Sequence, residues 1–111
     1  MTTTPHSYIG EFEYSVLLAV LHLDSAYAVP IRGLLEERTG RPVARGALYT
    51  ALERLEAKGC LRSRMGDASA VRGGRSRRYF TVTPLGLRTI RATHAAFASL
   101  TRGLEAILEQ P

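Results

Sequence analysis

The sequence predicts a mainly α-helical chain carrying one small β-hairpin, an α+β fold, on three observations. Four stretches space their apolar residues by threes and fours, as helices with an inward face do. After the third, CLRSRMG and RRYFTVT alternate with period two, as strands do, and flank GDASAVRGGRS, which has three glycines and no apolar period. Positive charge is also segregated: residues 62–91 hold eight arginines against Asp67 alone, a net of +7. Residues 1–61 hold six basic and seven acidic side chains, and residues 92–111 hold one and two.

A chain of 111 residues can build one core and is too short for two. Its composition, 45% hydrophobic and 23% charged, excludes a disordered chain. Cys60 is the only cysteine, so no intrachain disulfide forms, and its apolar neighbours predict a buried thiol. The opening MTTTPHSYIGEFE lacks the basic start and apolar centre of a secretory signal. The longest apolar run, Val16 to Leu23, is interrupted by His22 and too short for a bilayer. A cytoplasmic protein without a membrane partner is expected.

Met1 to Ile9 reads as a frayed polar lead-in. From Glu11, Phe12, Val16, Ala19, Val20 and Leu23 recur at helical spacing, and Leu17, Leu18 and Leu21 widen the stripe around most of the circumference. Such a helix is buried on more than one side and belongs at the centre. Its acidic first turn, Glu11 and Glu13, complements the helix dipole. Asp24 and Ser25 break the pattern before a second helix entered through Pro30, with Ile31, Leu34 and Leu35 inward and a stop at Thr39-Gly40.

The third helix is RGALYTALERLEAKGCL, from Arg45, closed by Lys58-Gly59. Leu48, Leu52 and Leu55 form its inner stripe, opposite Gly46, Thr50, Glu53 and Ala57, with Tyr49 and Arg54 on the flanks. In the hairpin that follows, Leu61, Ser63 and Met65 share one face of the first strand, and Phe80 and Val82 point inward from the second. Thr83 caps and Pro84 enters a last helix from about Leu85 to about Glu109, ~37 Å long at the standard rise. That is longer than so small a domain covers. Its seam of Ile90, Phe97, Leu100, Leu104 and Ile107 calls for a second chain, while Gly103 weakens the helix near its end.

No enzyme emerges from these residues. His6, His22 and His94 fall in unrelated elements without a second ligand at metal spacing, no glycine-rich phosphate loop joins a strand to a helix, and no cofactor is expected. The order helix, helix, helix, strand, basic loop, strand, helix is instead that of a winged helix-turn-helix. Such a fold places its recognition helix in a major groove of double-stranded DNA, and the arginine-bearing loop reaches phosphates or a minor groove. Residues 1–83 then make the DNA-binding unit and 84–111 its dimerisation helix, within one compact body. The rival reading is a winged-helix module that binds protein without sequence-specific DNA binding. It calls for an acidic face to neutralise the arginines, and residues 62–91 have none.

RGALYTALERLEAKGCL followed by GGRSRRYFTVTPLGLR closely resembles the PadR family of bacterial transcriptional regulators. The residues that carry the resemblance are Gly46, Leu48, Tyr49, Leu52, Leu55, Glu56, Gly59, Leu61, Phe80, Val82, Thr83 and Gly86, and with FEYSVLLAVL and AYAVPIRGLLEERTG it spans roughly residues 9 to 91. The short form with a single C-terminal helix is the nearest match. Four positions depart from the family pattern. Thr50 stands where proline is usual, Ala28 for a frequent glycine, Ala44 for a Ser or Thr cap, and Cys60 for a common leucine. The resemblance implies a repressor that binds an inverted-repeat operator as a homodimer and is released by small, often aromatic, effectors at the dimer interface.

On this reading Arg45, Gly46, Tyr49, Thr50 and Arg54 contact DNA from the third helix, Arg54, beside Glu53, having the alternative of pairing along the helix. Arg72, Arg75 and Arg77 contact it from the wing, whereas Arg78 beside the strand core serves either DNA or the fold. The chain has no Trp to stack on an effector, which leaves Tyr8, Phe12, His94 and Phe97.

Overall fold

The computed structural model describes residues 9–66 and 77–111. Helix α1 (Glu11–His22) is followed by α2 (Ala28–Thr39) and α3 (Arg45–Ala57). Strands β1 (Leu61–Met65) and β2 (Arg78–Val82) form an antiparallel pair, then α4 (Pro84–Thr101) and a short α5 (Glu105–Leu108) complete the chain. The lead-in before Ile9 and the loop over 67–76 lie outside the described residues. No described helix is long and apolar enough to cross a membrane.

Helix α1 sits at the centre because its apolar residues face in several directions. It packs against α2, α3, β2 and α4. Val16 and Leu17 are fully buried, joined by Ile31 from α2, by Leu48, Leu52 and Leu55 from α3, and by Phe80 and Ile90. Its apolar stripe is wider than the burial it receives, and Leu21 is left half exposed. A part-buried ion pair ties α1 to the end of α3, Lys58 Nζ lying 2.8 Å from Glu13 Oε1.

The helix ends follow the local chemistry. Helix α2 starts at Ala28, so Pro30 falls within the first turn, where amides have no intrahelical acceptor. It stops at Gly40, which takes φ +70°. Helix α3 has no side-chain cap on Ala44. The turn before it is held from α2 instead: Arg32 Nε donates to the Val43 carbonyl at 2.7 Å, and the Val43 amide donates to Glu36 Oε2 at 2.7 Å. At the other end of α3 the Gly59 amide bonds the Glu56 carbonyl and the Cys60 amide that of Leu55, a Schellman ending with Gly59 at φ +81°.

Strand register pairs Leu61 with Val82, Ser63 with Phe80 and Met65 with Arg78 on one face, and Arg62 with Thr81 and Arg64 with Tyr79 on the other. The hairpin is fastened at its outer edge, where the Phe80 amide donates to the Ala26 carbonyl at 2.8 Å. Thr83 caps α4 by accepting from the Gly86 amide at 3.0 Å, with Pro84 opening the helix.

The last helix departs from the sequence expectation. Helix α4 ends at Thr101 rather than running unbroken to about Glu109. Gly103 takes φ +93°, its amide bonds the Glu105 carboxylate, and the chain resumes as the single turn α5. Glycine has poor helix propensity, and residues 94–111 are all exposed, so no packing within the chain offsets that cost. The seam also divides. Ile90 is 7% exposed and belongs to the chain's own core, whereas Phe97, Leu100, Leu104 and Ile107 stand in the open.

Candidate nucleic-acid interface

Helix α3 buries Leu48, Ala51, Leu52 and Leu55, which turns the rest of its surface outward. Arg45, Gly46, Tyr49, Thr50, Glu53 and Arg54 are all exposed. Gly46 and Thr50 give that surface a low centre, and a β-carbon added at Gly46 would meet nothing within 4 Å. The helix N-terminus is therefore accessible to a large partner, with Arg45 at its entrance.

Concave surfaces lie on both flanks. Toward α1, Gly46, Thr50 and Arg54 line a groove of about 490 Å³ with Gly10 and Glu11. Toward the hairpin, Tyr49, Leu52 and Glu53 line one of about 690 Å³ with Tyr27, Arg77 and Phe80. Tyr49 also borders a third, of about 410 Å³, with Arg45, Arg32 and Val29 between α2 and α3. Tyr49 thus sits where the helix, its bracing partner and the hairpin converge. Arg54 makes no ion pair among the described residues.

The arginines of the hairpin divide by the face they occupy. Arg78 lies on the inner face and closes a polar triangle: Nη2 donates to Glu56 Oε1 at 2.6 Å, Nε donates to Ser63 Oγ at 3.0 Å, and Ser63 Oγ donates to Glu56 Oε2 at 2.6 Å. Its charge is neutralised by α3, and its role is to bind the wing to that helix. Arg64, by contrast, lies over the ring of Tyr79, 5.0 Å from its centroid, and Arg77 lies 4.4 Å from that of Tyr27. The two tyrosine rings meet edge to face at 5.6 Å and 70°. Arg72 and Arg75 lie outside the described residues.

Sequence reasoning missed this arrangement of Arg64, Tyr27 and Tyr79. The alternation already placed Arg64 and Tyr79 on the outer faces of their strands, but only the register shows them opposite one another. Nothing local brings Tyr27, which opens α2, against the hairpin.

The residues suggested for an effector are not brought together. Phe12 lines a depression with Leu35, Pro42 and Val43, while His94 and Phe97 stand exposed on α4, and Tyr8 is outside the described residues. No cluster of three or more metal-ligating side chains occurs among the described residues.

Comparison with known proteins adds independent evidence. The model of the transcriptional regulator PadR-like family matches residues 17–92, about two thirds of the chain. A PadR-like transcription factor from Bacteroides fragilis is similar in structure, with a TM-score of 0.72 and 28% identity over 86% of this chain and 88% of that one. A PadR family transcriptional regulator from Eggerthella lenta has a TM-score of 0.66 and 30% identity over 86% and 82%. A PadR-like regulator from Bacillus cereus shares the fold at 16% identity, with a TM-score of 0.71 over 90% and 93%. No curated protein matches.

Proposed function

This chain belongs to the PadR-like family of transcriptional regulators, and from that premise we propose that it is a cytoplasmic repressor that binds an inverted-repeat operator as a homodimer. Helix α3 enters the major groove, with Arg45, Gly46, Tyr49 and Thr50 toward the bases and Arg54 toward a phosphate. The wing, including Arg72, Arg75 and Arg77, follows the backbone or a minor groove. The observation that carries this reading is the exposure of Arg45, Gly46, Tyr49 and Thr50 in the N-terminal half of α3 beside an arginine-bearing hairpin. Recognition helices read from that half. The exposure of every residue from 94 to 111, Phe97, Leu100, Leu104 and Ile107 among them, supports α4 and α5 as the surface joining two copies.

Two such helices present themselves to half-sites about one helical turn apart. A small aromatic effector at that junction releases the DNA. His94 and Phe97 are positioned to meet it only if the partner supplies the remaining walls, because neither is enclosed within one chain.

The test is selection of bound sequences from random duplex DNA at two salt concentrations, with sedimentation of the free protein alongside. Enrichment of an inverted repeat that persists at the higher salt is expected, together with a species of twice 12.2 kDa. A population of unrelated sequences would overturn operator recognition and leave a protein-binding module.

A further inference from the structure

Arg64, Tyr79, Tyr27 and Arg77 form a continuous ladder at the base of the wing, a guanidinium at each end and two rings between. Its members come from β1, β2, the start of α2 and the residue preceding β2. Neither terminal arginine has an ion-pair partner among the described residues, in contrast to Arg32 and Arg78. A guanidinium laid on an aromatic face keeps its N–H groups in the plane, directed away from the ring, and loses little further freedom when an anion arrives.

Two further features fix the ladder in place. The bond from the Phe80 amide to the Ala26 carbonyl anchors the hairpin next to Tyr27. Gly66 leaves the space that the Tyr79 ring occupies, since a β-carbon at Gly66 would stand 2.6 Å from that ring. Arg77 and Tyr27 line the same groove as Tyr49, so at this end the ladder opens on the face that presents α3.

We propose that Arg64 and Arg77, held by the rings of Tyr79 and Tyr27, form a prearranged clamp for the phosphates of duplex DNA at the base of the wing. The clamp rests on the DNA-binding reading and adds to it a contact, Arg64, and two positioning residues. It acts separately from the wing tip, and it contributes affinity for any duplex rather than sequence choice.

The experiment measures the affinity of the full chain for a fluorescein-labelled duplex of random sequence across a salt series, by anisotropy, with thermal melts confirming that each variant is folded. For Arg64→Ala the slope of log affinity against log salt falls by about 0.9 per subunit, and affinity at ~0.1 M salt falls about tenfold per subunit. Tyr79→Leu, Tyr27→Leu and Gly66→Ala keep every charge but release the guanidiniums, and weaken binding by about two- to fivefold. Tyr79→Phe and Tyr27→Phe, which keep the rings, match the wild type.

An unchanged slope in Arg64→Ala, or phenylalanine variants as weak as the leucine ones, overturns the clamp while leaving DNA binding intact. Wild-type protein with no affinity for duplex at any salt overturns the DNA reading and the clamp with it.

Discussion

Gly86 packs so closely on the carbonyl of Cys60 that a β-carbon there would overlap that oxygen and stand 2.9 Å from Cγ1 of Val82. The same carbonyl accepts the Thr83 amide at 3.0 Å, so it cannot retreat without breaking the entry to α4. Gly86→Ala is therefore expected to cost about 1–3 kcal/mol, as overpacking does. Urea unfolding measures it as a lower midpoint with an unchanged slope. A midpoint equal to the wild type's would show that the start of α4 moves freely.

Thr83 serves both sides of that junction. Its hydroxyl accepts from the Gly86 amide at 3.0 Å and donates to the Gly59 carbonyl at 2.5 Å. Thr83→Val keeps the shape and removes both bonds, at a cost of about 1–2 kcal/mol. Thr83→Ser keeps them and should melt close to the wild type. Equal losses in the two variants would mean that packing, not capping, is what the methyl and hydroxyl provide.

Ala44 offers a gain rather than a loss. It occupies the N-cap of α3 with extended backbone, φ −68° and ψ 135°, and no side-chain oxygen to receive an orphan amide. Ala44→Ser supplies one and should raise stability by about 0.5–1 kcal/mol. Calorimetry reads the effect as a higher melting temperature, and a fall would show that the hydroxyl binds elsewhere.

The C-terminal seam separates two kinds of apolar residue. Ile90→Ala opens a cavity in the core and should cost about 2–5 kcal/mol. Leu100→Asp alters a side chain that is 69% exposed in the chain and should leave its helix content intact while shifting sedimentation toward 12.2 kDa. A stable dimer in Leu100→Asp would remove α4 from the proposed junction.

On α3, Arg45→Ala should weaken binding to random duplex and lower the salt slope by about 0.9 per subunit, because its cation stands exposed at the helix entrance. The same salt titration applied to Arg72→Ala/Arg75→Ala tests the wing tip. An unchanged slope in either variant removes those side chains from the phosphate contacts.

How much of this was legible depends on the range over which each feature is set. The stripe of Leu48, Leu52 and Leu55, the stops at Gly40 and Gly59 and the Thr83-Pro84 entry are local, fixed by periodicity and by backbone preferences within a few residues. Those could be read directly. The division between Arg78, neutralised by Glu56, and Arg64, stacked on Tyr79, depends on strand register, which neighbouring letters do not specify. The meeting of Tyr27 with Tyr79 is tertiary and left no trace in the spacing. At the end of α4 the letters held both a helical period and a glycine. The period carried the expectation, and the glycine prevailed where packing within the chain is absent.

The Schellman ending of α3 and the capped start of α4 share Gly59, Cys60, Thr83 and Gly86, so the two helices meet in a single braced corner. A corner with so little slack does not absorb torque. In the proposed dimer, turning α4 carries the far end of α3 with it, much as a handle turns a key, and the setting of one α4 against its partner fixes the distance between the two copies of α3. On that proposal the gauge of the DNA site is set in mechanical terms by the C-terminal helices rather than by α3 itself.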